Sequence, residues 1–137
     1  MTILFAFVRG AESRVGPVDV AAKWVLVVDD DEDTREIVVE CLRSEGYPAV
    51  AASGAVSALR LMRQGAPALV LSDLTMGEMD GREFLTAARA LLGSSMPPLI
   101  FVTGVEASAR VGVAEQVLTK PYGLDELLTV VGHHVRA

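Results

Sequence analysis

Short runs of continuous apolar residues recur along this chain, separated by longer segments of helical period. WVLVV at Trp24–Val28, ALVL at Ala68–Leu71 and LIFV at Leu99–Val102 are apolar at every position. Such a run has no wet face and suits a strand covered on both sides. AVAA at Ala49–Ala52 and VLT at Val117–Thr119 are weaker runs of the same kind. Between them, Thr34–Ser44 places Ile37, Val38, Cys41 and Leu42 at helical spacing and stops at Gly46. A second helix is expected from a Ser53 cap through Ala55, Leu59 and Met62 to Gly65, a third over Arg82–Leu92 before Gly93, and a last over Leu124–Val131. Strands alternating with helices of this length predict an α/β domain, doubly wound, with helices on both faces of a parallel sheet.

At 137 residues the chain holds about one domain. Residues 1–22 lack a sustained period and contain Gly10, Gly16 and Pro17, so they are expected to form a flexible extension to a domain over 23–137. Only 5% of residues are aromatic, so the core must be built from aliphatic side chains, with Trp24 a packing residue. The net charge of −6, without any basic block, argues against a nucleic-acid surface. The single cysteine, Cys41, allows no internal disulfide and is expected to be a core thiol in a reducing compartment. Ile3–Val8 is too short to span a membrane and follows no basic segment, so the expected location is cytoplasmic.

In open parallel sheets, functional groups gather beyond the carboxyl ends of the strands. Here the first strand ends in Asp29 and Asp30, the third in Asp73, the fourth in Thr103 and the fifth in Lys120. Two carboxylates ~4 Å apart repel by roughly 4 kcal/mol at an effective dielectric near 20. Asp29, Asp30 and Asp73 can therefore share a pocket only if some are protonated or a cation sits among them, and a hard divalent ion with oxygen ligands, Mg²⁺ above all, fits such a cluster. Lys120 offers a point positive charge for a carboxylate or phosphoryl oxygen, and Thr103 a hydroxyl donor. Asp31, Glu32 and Asp33 suit the start of the next helix, capping its N–H groups and facing its positive dipole end. The glycines of GEMDG, Gly77 and Gly81, can take positive φ and let the backbone turn tightly.

VVDDDEDTR, LVLSDLTMGEMDG, FVTG and LTKPYG, in this order, resemble the receiver domains of two-component response regulators. The resemblance runs from Trp24 to about Val135 and implies a flavodoxin-like sheet of five strands in the order 2-1-3-4-5. It implies that Asp73 accepts a phosphoryl group from a phosphohistidine. Asp30, Asp73 and the carbonyl of Thr75 would then hold Mg²⁺, with Asp29 acting through water and Thr103 and Lys120 serving the phosphoryl group. The implied partners are a sensor histidine kinase or a histidine phosphotransfer protein, and a downstream protein target. Such a receiver is a timed switch, a monomer or weak dimer, whose enzyme-like part is self-phosphorylation and slow self-hydrolysis. With no domain after Ala137, a stand-alone receiver or a phosphate carrier is expected, with a fragment of a longer regulator or hybrid kinase as the third reading. Three departures stand out: Gly77 in place of the usual proline, a short Thr103–Lys120 segment predicting a short or irregular fourth helix, and Val117 where many receivers carry an aromatic switch residue.

Other readings fit less well. Asp29, Asp31, Asp33 and Glu40 match a calcium-loop spacing, but Thr34 stands where that loop needs glycine. An aspartyl-phosphate hydrolase would want a second acid at Thr75, and a cap. A receiver-like interaction module without phosphorylation would not need all of Asp29, Asp30, Asp73, Thr103 and Lys120. His133 and His134 lack a nearby carboxylate partner and are expected at a fraying, exposed terminus. Tyr122 could line the switch face or cover the core edge.

Overall fold

The computed structural model describes residues 23–77, 79–104, 116–120 and 123–135. The apolar runs pair side by side as β1 (Val25–Val28), β2 (Ala49–Ala52), β3 (Leu69–Asp73), β4 (Leu99–Gly104) and β5 (Gln116–Lys120). They form one parallel sheet in the order β2-β1-β3-β4-β5, the flavodoxin-like arrangement. Strands β3 to β5 extend through the polar residues that follow their apolar runs. Ladder pairing carries them on, through Asp73 opposite Val102, Thr103 opposite Thr119 and Gly104 opposite Lys120. Asp73, Thr103 and Lys120 are thus held by the sheet itself at one edge.

Four helices are described: α1 (Glu32–Ser44), α2 (Ala55–Gln64), α3 (Gly81–Leu92) and α4 (Leu124–Val135). Alternate strand residues feed two cores. Val25, Val27, Leu69, Leu71, Ile100 and Val102 pack with Val38, Val39 and Leu42 of α1 and Leu127, Val131 and Val135 of α4. Leu26, Val28, Val50 and Val70 pack with Ala58, Leu61 and Met62 of α2 and with Phe84 and Ala88 of α3. Among the described residues two helices pack on each face, and strands covered on both sides carry no polar alternation.

The acidic run resolves into two parts. Asp31 caps α1, its carboxylate accepting the Thr34 N–H at 3.0 Å and also the Thr34 hydroxyl, while Glu32 and Asp33 occupy the first turn. Replacing Asp31 by alanine is expected to cost about 1 kcal/mol of stability, read as a lower urea midpoint at unchanged slope. The helix closes at Glu45 and Gly46, whose φ of 88° is the left-handed geometry that glycine supplies without strain.

Several local expectations need correction. Ser53 does not cap α2; Gly54 occupies the cap without a side-chain bond, because Ser53 lies one residue too early. Trp24 precedes β1 rather than beginning it, although it is buried, and its indole N–H has no acceptor among the described residues. The buried stripe of α1 is Arg35, Val38, Val39 and Leu42. That phase puts Ile37 on the far side, 61% exposed, and leaves Cys41 half-buried on the flank rather than in the core. The expectations for residues 1–22, for the helix between β4 and β5, and for Tyr122 lie outside the described residues.

The last helix runs beyond Val131 to Val135, because Leu127, Val131 and Val135 continue one buried row at four-residue spacing. His133 and His134 therefore belong to the helix, with His134 half-buried and in edge-to-face contact with His133. Burial, and then the neighbouring His133, hold the His134 imidazole below its usual value of 6.5. A histidine depressed in the folded state supports folding fully above its unfolded value and loses that support as pH falls. Between pH 7 and 5.5, His134→Gln should thus show a smaller drop in melting temperature than the wild type.

Candidate functional site

Asp29 follows β1 directly and is 5% exposed, its backbone N–H donating to the Ala52 carbonyl at 3.2 Å. By strand alternation it continues the row Val25, Val27, just as Asp73 continues Leu69, Leu71. Both acids therefore rise on the α1 side of the sheet. The Asp29 carboxylate accepts the Asp31 N–H at 2.9 Å, and its carbonyl accepts Nη1 of Arg35 at 3.0 Å. Asp30, next in the turn, is exposed. Asp73 is half-buried, its Oδ1 accepting the Thr75 N–H at 3.3 Å. One carboxylate oxygen from each of Asp29, Asp30 and Asp73 lies within 4.8 Å of the others. Beneath them is a narrow apolar cleft lined by Val27, Leu71 and Val102 of the sheet and Thr34 and Val38 of α1.

The loop after Asp73 returns to the sheet through Gly81. The Gly81 N–H donates to the Leu74 carbonyl at 2.6 Å. A Cβ on Gly81 would lie 2.7 Å from the Asp73 carbonyl oxygen, 2.8 Å from a Phe101 ring carbon and 2.9 Å from the Leu74 Cα. Neither Gly77 nor Gly81 uses the positive φ open to a glycine. Gly81 is needed for close approach instead, and around Gly77 a Cβ would meet nothing within 4 Å among the described residues. α3 then starts from a capping box, the Asp80 carboxylate accepting the Glu83 N–H at 2.8 Å and Glu83 accepting that of Asp80 at 3.2 Å.

Thr103 ends its apolar run at 2% exposure, one residue beyond the partner of Asp73. Lys120 is the last residue of β5, its backbone paired with Gly104 at the same edge; its side chain lies outside the described residues. Val117 is half-buried against the cluster of Leu74, Leu85 and Phe101. Thr75 is exposed beside the acids.

Residues 25–132 match the family profile of the response regulator receiver domain. The chain belongs to that family. Over 119 residues this receiver is 36% identical to an uncharacterized 14.6 kDa protein of Leptolyngbya boryana, covering 82% of this chain and 90% of that one. It is 35% identical to the response regulator MprA of Mycobacterium sp. strain KMS, covering 76% of this chain but only 46% of MprA. The solved structure of the Vibrio cholerae chemotaxis protein CheY4 superposes with a TM-score of 0.72 at 26% identity, covering 82% of this chain and 98% of CheY4. Among the described residues of the receiver, no helix is long and apolar enough to cross a membrane.

Sequence reasoning brought the three aspartates to this edge but passed over Arg35. Its signal was present: the first position of the apolar stripe 35, 38, 39, 42 carries a charge. The packing role of Gly81 had no signal of its own, since a glycine required by neighbours reads like one required by a turn.

Proposed function

We propose that this receiver accepts a phosphoryl group on Asp73 from a phosphohistidine of a sensor kinase or phosphotransfer protein, in an Mg²⁺-dependent reaction. The unit that does so spans residues 23–137. The observation that carries this reading is the convergence of Asp29, Asp30 and Asp73 to within 4.8 Å at the carboxyl edge of a receiver sheet. The donor set suits Mg²⁺: all hard oxygens, at a spread near the roughly 4.2 Å that separates ligands across an octahedral ion. Asp30, Asp73 and the Thr75 carbonyl would hold it, with Asp29 acting through water. Bound there, Mg²⁺ would neutralise charge on the phosphoryl oxygens and on the crowded carboxylates.

The chain's own residues do the rest. An Asp73 oxygen attacks phosphorus as the P–N bond to the donor imidazole breaks, and the imidazole, already protonated on its other ring nitrogen, takes the bond's electron pair and leaves neutral. The sheet fixes Asp73 for that approach, so alignment supplies much of the acceleration. Lys120 is assigned to the phosphoryl oxygens, and Thr103 to a hydrogen bond that draws the β4 loop toward the new charge. Hydrolysis of the acyl phosphate by water resets Asp73. Switching then alters binding of a downstream protein.

The test is transfer of labelled phosphate from a phosphohistidine donor protein. Stoichiometric labelling of the wild type, lost on adding a chelator, is expected. Repeated turnover of a phosphomonoester without accumulation of labelled protein would instead indicate a hydrolase.

A further inference from the structure

Arg35 is 4% exposed, at the phase of α1 where Val38, Val39 and Leu42 face the sheet. Burying a guanidinium is costly, and an apolar side chain of similar volume usually serves stability as well or better. The charge is therefore not explained by packing. What it touches is specific: Nη1 donates to the carbonyl of Asp29 at 3.0 Å. That oxygen belongs to the peptide joining Asp29 to Asp30, so its direction sets where both residues start. Two further bonds pin the same turn. The Asp31 N–H donates to the Asp29 carboxylate at 2.9 Å, and the Asp31 carboxylate caps α1. Asp29 is thus held from its side chain and from its carbonyl, and Asp30 is presented between two anchored neighbours.

We infer that Arg35 is a positioning residue: it holds the Asp29–Asp30 peptide so that both carboxylates face Asp73 ready for a divalent cation. The inference rests on the reading of this cluster as an Mg²⁺ site. Its sign separates it from the alternatives. As a bare positive charge near the site, Arg35 would oppose Mg²⁺, and its removal would tighten binding. As a purely structural residue, it would change the unfolding midpoint without changing the affinity of the folded protein. As a positioning residue, its loss weakens binding although a repelling charge has gone. Second-layer groups of this kind typically matter by about 10–100-fold in metal affinity.

The experiment is calorimetric titration of Mg²⁺ into the full chain and into Arg35→Met and Arg35→Lys, each shown to be folded by circular dichroism. The expected result is at least about tenfold weaker binding by Arg35→Met, with Arg35→Lys between the two because it keeps a donor for the carbonyl. If Arg35→Met does not fold, Arg35→Gln takes its place: its side chain is two atoms shorter, and the same weakening is expected. Unchanged or tighter binding by a folded Met or Gln variant, with the wild type binding Mg²⁺, overturns the inference alone. No Mg²⁺ binding by the wild type overturns both the inference and the reading beneath it.

Discussion

Replacing Gly81 with alanine is expected to lower stability by about 2–3 kcal/mol, the upper part of the usual range for overpacking. The new methyl would meet two backbone atoms, the Asp73 carbonyl oxygen at 2.7 Å and the Leu74 Cα at 2.9 Å. It would also meet Phe101, which is fully buried and has little room to yield. Backbone cannot swing aside as a flexible side chain can, so either α3 lifts or the end of β3 shifts. Helix propensity pulls the other way, since alanine exceeds glycine by about 1 kcal/mol in a helix interior. At the first residue of α3 that gain is partial, and the clash wins. Gly77→Ala is the control, because a Cβ there meets nothing within 4 Å among the described residues and the φ is not left-handed. Urea unfolding of both variants decides the point. A Gly81→Ala protein as stable as Gly77→Ala would mean that the loop after Asp73 is loosely seated.

Asp73→Asn is expected to stabilise the protein when no divalent cation is present. Three carboxylates converge within 4.8 Å, and the amide removes one charge while keeping an oxygen to accept the Thr75 N–H. A pair at ~4 Å would repel by roughly 4 kcal/mol at a dielectric near 20. Asp73 is half-buried and Asp30 exposed, so solvent screening reduces the gain to about 1 kcal/mol. For a domain of this size that is a rise of about 3–5 °C in melting temperature. Mg²⁺ should then raise the melting temperature of the wild type more than that of the variant, and high salt should shrink the gap. Scanning calorimetry with a chelator and then with Mg²⁺ reads both effects. A variant less stable than the wild type in chelator would show that the carboxylate is held by more attraction than repulsion.

The sheet and its acidic edge were legible in the sequence because they depend on local signals. A fully apolar run of four or five residues can bury both faces, and the residue that breaks it must stand at the strand's end. That logic placed Asp29, Asp73 and Thr103 without any long-range information. It misjudged Ile37 and Cys41 because the buried row of α1 runs through Arg35, Val38, Val39 and Leu42 and opens on a charged residue. A reader of hydrophobic period discounts such a residue. It also misjudged the end of α4, where the polar pair His133 and His134 hides the continuing row from Leu127 to Val135. Gly81 shows a third limit. Its constraint comes from Phe101 and Asp73, brought against it only by the fold.

Asp73 is proposed to take up a phosphoryl group at an Mg²⁺-dependent site. The most direct test is intact mass spectrometry of the protein after incubation with Mg²⁺ and a small acyl-phosphate donor, beside Asp73→Asn. One phosphoryl adduct on the wild type, absent from Asp73→Asn and from wild type in chelator, is the predicted result. No adduct on a wild type that binds Mg²⁺, or an equal adduct on Asp73→Asn, would contradict it.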